Sequence, residues 1–173
     1  MNEQASTYRV AIKWGIFLGL FSIVYSLFLF LTGNIGQSWT SILSIVISIG
    51  GLVLAMREFR TLNGGYMSFG EGTTVGTVTG LISGLLSVAF SWFYMTIIDT
   101  NVMANMAEKT REALEKQGSF SDEQIDQQME MMERFQTPGM LLGIGLISAL
   151  IGSVIIALIV AAFMRKEKPS LFE

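Results

Sequence analysis

The sequence predicts an all-α membrane protein in which four transmembrane helices form a compact bundle. Four stretches are long and apolar enough to cross a bilayer, which requires about 20 residues. Only 14% of the 173 residues are charged, whereas a soluble domain usually has about 25%, and 51% are hydrophobic. Glycines and serines recur at helical spacing within the apolar stretches, as in helices that pack closely inside a membrane.

The predicted spans have no charged residue near their centres and form one membrane domain, residues 1–173. Trp14, Trp39 and Trp92 lie near span ends, where amphipathic rings favour the membrane–water interface. The first span lacks a small-residue cleavage site after its apolar part, so we expect it to remain as an anchor. The spans cover residues 14–31, 38–56, 73–98 and 140–164.

Residues 99–137, between the third and fourth spans, have a different chemistry. They contain nine acidic and four basic residues, a net charge of −5. Gly118 separates two amphipathic segments, and Ser121 followed three residues later by Gln124 is typical of a capping box that begins a helix. We therefore predict an acidic helical hairpin outside the membrane.

Lysine and arginine counts predict the orientation. The side of the membrane that holds the insert carries four basic residues, all of them within the insert. Because basic residues concentrate on the cytoplasmic side, we expect both termini in the cytoplasm and the insert on the opposite side. The side of the termini carries seven: Arg9, Lys13, Arg57, Arg60, Arg165, Lys166 and Lys168.

A short phrase, Gly-Leu-x-Ser, occurs three times inside the spans, at residues 19–22, 80–83 and 145–148. The first and third spans also match one turn earlier, at Gly15 and Gly76. The match indicates either a duplicated helix hairpin or independent use of residues that are common in membrane helices.

The small residues are predicted to pack the helices against one another. In lipid, helix association depends on close van der Waals contact and interhelical hydrogen bonds, and glycine permits the closest approach. We favour a seam within one chain; the alternatives are a homodimer face and a polar path lined by hydroxyls. The predicted packing residues are Gly15, Gly19, Ser22, Ser48, Gly51, Gly76, Gly80, Ser83, Gly84, Gly145, Ala149 and Gly152.

Several kinds of chemistry are disfavoured by composition. The chain has no cysteine and no histidine, which removes thiolate sites, the commonest general base and the commonest transition-metal ligand. We identify no catalytic, cofactor-binding or metal-binding residues, and we expect the protein not to be an enzyme. The net charge of −3 gives no nucleic-acid footprint.

The loop after the second span contains the densest group of distinctive side chains. Arg57, Arg60, Tyr66 and Phe69 are candidate contacts for a partner protein or for anionic lipid head groups. The favoured alternative is an interhelical turn with basic and aromatic anchors at the interface.

The ordered motifs resemble a family of uncharacterised membrane proteins, domain of unknown function 4199, found mainly in Bacteroidota. The stretch Gly64–Gly70 is similar to that family's Gly-x-Ile-Ser-Phe-Gly signature. The basic-aromatic stretch Arg57–Arg60, the glycine-rich third helix, the acidic insert and the final Arg165-Lys166 complete the resemblance. It implies a four-helix, multi-pass protein of a bacterial inner membrane and carries over no catalytic residues, because the family has no established activity; we expect no cofactor.

Two hypotheses about function follow. The first is a non-enzymatic scaffold, assembly factor or accessory subunit that contacts membrane lipid and forms a homodimer or a larger membrane complex. The alternative is a small transporter or channel lined by the hydroxyls of the third helix. A water-accessible cavity that reaches Ser83 and Ser87 would favour the second hypothesis.

Overall fold

The computed structural model describes residues 6–135 and 137–168. This part of the chain is helical and contains no strand longer than a single bridge. Its helices are α1 (Thr7–Thr32), α2 (Ser38–Leu62), α3 (Phe69–Phe93), α4 (Val102–Gln117), α5 (Asp122–Phe135) and α6 (Pro138–Met164), and a π-helical turn (Tyr94–Ile98) extends α3.

Four of these helices are long and apolar enough to cross a membrane: α1, α2, α3 with its π-helical turn, and α6. The predicted all-helical class and the four candidate spans are therefore confirmed. Each helix is longer than the span predicted for it, because the prediction followed only the apolar window. At 1.5 Å per residue, the 25 to 27 residues of each α-helix extend about 40 Å, more than the ~30 Å hydrocarbon core.

The start of α3 shows why the helices exceed the apolar windows. The span was predicted from Thr73, but the helix begins at Phe69. Glu71 N donates to Ser68 Oγ at 3.2 Å, and Ser68 N donates to Glu71 Oε2 at 2.8 Å. This capping box satisfies two backbone donors, so the helix can begin in the polar flank.

Helix α3 lies at the centre of the interhelical contacts. Its largest interfaces are with α6 and α1, whereas α2 makes smaller contacts with α1, α3 and α6. The interface with α6 repeats every four residues. A Cβ atom built on Gly76 would lie 2.7 Å from Ala157 Cβ, and one built on Gly80 would lie 2.6 Å from Ser153 Cβ. These two helices are therefore in backbone-level contact.

The interface between α1 and α3 uses glycines of α1. A Cβ atom on Gly15 would lie 2.7 Å from Ile82 Cβ, and one on Gly19 would lie 2.6 Å from Leu86 Cδ1. The matched glycines of the repeated phrase therefore face different neighbours: those of α1 face α3, and those of α3 face α6. Glycines at matching positions of the repeated phrase therefore make different interhelical contacts in α1 and α3.

Different hydrogen bonds connect the helices at their two ends. At one end, Met67 and Lys166 exchange two backbone hydrogen bonds of 2.8 Å; we call this the Met67 end. At the other, Lys109 Nζ donates to the carbonyl oxygen of Gly33, whose positive φ of 64° ends α1; we call this the Gly33 end. Buried side chains concentrate at the Met67 end, where Met56 and Phe59 are at most 1% exposed.

The insert consists of α4 and α5, which are amphipathic as predicted. Arg111 Nη2 contacts Asp126 Oδ1 at 2.8 Å and links the two helices. Hydrogen bonds with Glu115 and then Asp126 raise the pKa of Arg111. The predicted capping box is present, since Gln124 N donates to Ser121 Oγ at 3.4 Å and Ser121 N donates to Gln124 Oε1 at 2.9 Å.

Candidate functional site

A cavity of about 310 Å³ lies among the four long helices. It is bordered by residues 18–26 of α1, 44–52 of α2, 80–87 of α3 and 148–156 of α6. These segments surround the middle of each helix, so the cavity lies near mid-height of the candidate membrane region. Eight serines line it: Ser22, Ser26, Ser44, Ser48, Ser83, Ser87, Ser148 and Ser153.

Helical periodicity brings these hydroxyls to one place. On α1, α2 and α3 the lining serines occur in pairs four residues apart, which puts both members of a pair on the same helix face. With Ser148 and Ser153 of α6, which are five residues apart, hydroxyls from all four long helices border the cavity. Large apolar side chains on other faces of these helices are exposed.

Some of these serines are satisfied by their own helix. Ser44 Oγ donates to Thr40 O and Ser48 Oγ donates to Ser44 O, both at 2.9 Å. Ser153 Oγ donates to Leu150 O at 2.8 Å. These bonds use the hydroxyl proton and leave oxygen lone pairs that can accept from an occupant of the cavity.

Ser83 differs from its neighbour one turn away. Thr79 is fully buried and donates to Ala11 O of α1 at 3.3 Å. Ser83 is only 6% exposed as a residue and borders the cavity. A hydroxyl at a cavity wall can donate and accept hydrogen bonds, so Ser83 can bind a polar group there.

Tyr25 joins two walls of the cavity. Its hydroxyl donates to Thr40 O at 2.9 Å and thereby connects α1 to the start of α2. Sequence reasoning missed Tyr25 as a cavity residue. The sequence feature that could have indicated Tyr25 is its position between Ser22 and Ser26, which puts it on a nearby face of the same helix.

The cavity is closed toward the Met67 end. Leu18, Leu52 and Ala157 form a buried cluster at its floor. Beyond that floor, the core around Met56 and Phe59 fills the space between the helices. A polar molecule could not pass this packed end without a rearrangement of the helices.

A second cavity, of about 250 Å³, lies between α3 and α6 toward the Gly33 end. Ser87 borders both cavities, and Ser91 and Trp92 border the second. The indole Nε1 of Trp92 is buried and has no partner among the described residues. Polar groups therefore continue from the central cavity toward this end.

No Asp, Glu, Lys or Arg lines the central cavity in the part of the chain that the structure describes. Hydroxyls can donate and accept hydrogen bonds, and the site can therefore hold an uncharged polar molecule. An ion would lose its hydration without gaining an opposite charge, which is costly inside a membrane.

The predicted packing residues fall into two groups. Glycines at interhelical contacts are Gly15, Gly19, Gly51, Gly76, Gly80, Gly84 and Gly145, and Ala149 lies opposite Gly84. Four others line the cavity, namely Ser22, Ser48, Ser83 and Gly152, and Gly80, Gly84 and Ala149 of the first group border it as well. A Cβ atom on Gly152 would have no neighbouring atom within 4 Å, so open space rather than a helix lies beside it.

The predicted loop residues do not converge on one site. Arg60 Nη1 donates to Met164 O at 3.4 Å, and Lys166 Nζ lies 5.7 Å from the ring centre of Tyr66. Arg60 and Tyr66 therefore each contact a residue at, or just after, the end of α6. Arg57 and Phe69 are exposed.

The chain was compared with protein families, with curated proteins and with solved structures. No curated protein and no solved structure shows significant similarity to the chain. A family described as "Protein of unknown function (DUF4199)" matches residues 13–166, a range that includes α1 from residue 13 onward, all of α2, α3 and α6, and the insert. Since this match covers most of its length, the chain belongs to the DUF4199 family.

Proposed function

We propose that the protein is a small membrane transporter or channel whose substrate is a small, uncharged polar molecule bound in the central cavity. The observation that carries the proposal is the group of eight serines that lines the central cavity near mid-height of the four long helices, with Ser83 and Ser153 both buried residues. Their hydroxyls offer donors and acceptors to an occupant. A polar occupant would form hydrogen bonds with these hydroxyls.

The cavity restricts the substrate by charge and by size. Its walls carry hydroxyls but no side-chain charge, which favours a neutral molecule with both donors and acceptors. Its volume of about 310 Å³ is at the lower end of the range for ligand pockets, with room for roughly ten waters. Polyols and amides of a few carbon atoms match this description.

The proposed route runs through the compact bundle from the Gly33 end. The second cavity shares Ser87 with the first and lies in that direction, although most of its lining is apolar. The packed core at the Met67 end acts as the closed gate. Following the distribution of basic residues, we place the Met67 end in the cytoplasm of a bacterial inner membrane.

Filling the cavity should block permeation. The Gly152→Leu side chain would enter open space at the cavity wall, so we expect a folded protein that no longer admits solute. Vesicles containing the native protein should take up water, glycerol or urea faster than protein-free vesicles. Vesicles with Gly152→Leu should match protein-free vesicles in stopped-flow light scattering after an osmotic step.

Gly143→Leu is the matched control. Gly143 also has open space around a built Cβ, but it does not line the central cavity. Nine residues, or about two and a half turns, put it on the opposite face of α6 from Gly152. It should keep the native uptake rate. The proposal fails if native vesicles are no faster than protein-free ones for every solute, or if Gly152→Leu keeps the native rate.

The insert favours a second candidate function. Helix α5 exposes Met131 by 63% and Phe135 by 49%, although the insert is otherwise strongly acidic. Exposed methionine and aromatic side chains are common on surfaces that bind other proteins. We propose, as this second candidate, a non-enzymatic scaffold, assembly factor or accessory subunit that uses the insert within a homodimer or a larger membrane complex.

A single cysteine can test the insert, because the native chain has none. In intact cells, Ser119→Cys should react with a membrane-impermeant photo-crosslinker and then capture one discrete protein. Thr61→Cys, exposed at the Met67 end, should remain unlabelled. No reaction at position 119 would contradict the proposed orientation. Reaction without any crosslinked protein would contradict the scaffold role.

A further inference from the structure

An apolar groove of about 540 Å³ lies between α1 and α2, and Leu18 and Ile47 border both this groove and the central cavity. On α1 it extends from Lys13 to Phe21, about 12 Å at 1.5 Å per residue. That is most of the ~15 Å depth of one hydrocarbon leaflet. Its walls are Trp14, Phe17 and Phe21 of α1 and Ile47 and Leu54 of α2.

Two adjacent glycines create this groove. Gly51 receives the end of Leu18, whose Cδ1 would lie 2.6 Å from a Cβ built there, so the two helices meet at this point. Gly50 faces the groove, and a Cβ on it would have no neighbouring atom within 4 Å. The missing side chain of Gly50 leaves a space that the protein does not fill.

Hydrocarbon is the natural filling for this space. Phe17 is 60% exposed and Leu54 is 48% exposed, and both belong to candidate membrane spans. An apolar cavity of this kind does not retain water. The groove runs inward from the end of the span, as an acyl chain runs inward from its head group.

Charges at the mouth of the groove favour an anionic head group. Lys13 Nζ lies 2.8 Å from both carboxylate oxygens of Glu58, and Trp14 Nε1 donates to the same carboxylate at 2.7 Å. Arg9 lies one turn before Lys13, and Arg57 lies three residues after Leu54, on the groove faces of their helices. Three cations and one anion leave a net positive charge.

We propose that this groove binds one anionic phospholipid, with an acyl chain along Gly50 and the phosphate beside Arg9, Lys13 and Arg57. A basic cluster at the interface attracts an anionic head group by about 1 kcal/mol per cation, and the apolar walls hold the chain in place. The occupant is a lipid of the bilayer. A second copy of the protein is the competing occupant.

Native mass spectrometry in detergent can test the site with phosphatidylglycerol and with phosphatidylcholine of the same chain length. We expect the native protein to retain one phosphatidylglycerol in preference to phosphatidylcholine. Gly50→Leu should fill the groove and weaken phosphatidylglycerol binding by about tenfold or more. Gly143→Leu, which adds the same side chain outside the groove, should bind as the native protein does.

The charge requirement can be tested separately. Arg57→Gln should lower the preference for phosphatidylglycerol about fivefold, the equivalent of about 1 kcal/mol. Lys116→Gln removes an exposed cation in the insert and should leave the preference unchanged. The proposal is overturned by equal retention of both lipids, by native retention in a folded Gly50→Leu protein, or by a lipid-free dimer as the main native species.

Discussion

Gly80→Leu is expected to abolish correct folding or assembly in the membrane. A Cβ atom at position 80 would lie 2.6 Å from Ser153 Cβ and 3.2 Å from Ser153 Cα. The second distance involves the backbone of α6, which cannot rotate away as a flexible side chain can. The two helices would have to separate. Overpacking typically costs about 1–3 kcal/mol, and we expect at least the upper value for a side chain as large as leucine.

The yield of monodisperse protein after mild solubilisation measures this effect. Gly80→Ala should give an intermediate loss, because it adds only the clashing Cβ. Gly143→Leu, which adds an equal side chain to α6 where space is open, should purify as the native protein does. If Gly80→Leu accumulates and purifies normally, α3 and α6 do not pack with Gly80 against Ser153.

Phe59→Ala is expected to produce the second large effect, a loss of stability of about 3 kcal/mol. Phe59 is 1% exposed within the core at the Met67 end, where it packs among buried side chains that include Met56 and Met67. Removing a buried phenylalanine side chain from a core costs about 3–5 kcal/mol. We expect the lower value because part of the soluble-protein cost is transfer from water, whereas lipid already solvates apolar groups.

Phe163→Ala is the matched comparison. Phe163 is 86% exposed near the same end of the helices, so its removal leaves no internal void. Melting temperatures in one detergent should fall clearly for Phe59→Ala and stay near the native value for Phe163→Ala. Equal melting temperatures for the two variants would show that the Met67 end is not a packed core.

Much of the local structure follows from the sequence. The four apolar helices, the amphipathic insert and the Ser121 capping box each depend on composition and spacing within a short segment. The limits of the spans were less accurate. The predicted start at Thr73 missed the first turn of α3, because a capping box rather than hydropathy determines where that helix begins.

The candidate site could be predicted only in part. The hydroxyls of α3 were recognised as a row, and their spacing raised the hypothesis of a polar path. Spacing within α3 could not show whether that row faces another helix or a cavity. The structure puts Gly80 against Ser153 of α6 and leaves Ser83 beside the cavity. Gly80 and Ser83 nevertheless belong to the same Gly-Leu-x-Ser phrase.

The sequence by itself determined the helical elements, their length and the spacing of small residues on each, because these properties arise within single segments. The tertiary structure alone decided which neighbour each glycine faces. It also decided that serines from four helices surround one cavity, and that Gly50 leaves a groove while Gly51 is filled by Leu18. The physical reason is that the helical period determines which residues share a face of one helix. The rotation and separation of adjacent helices depend instead on how their surfaces pack.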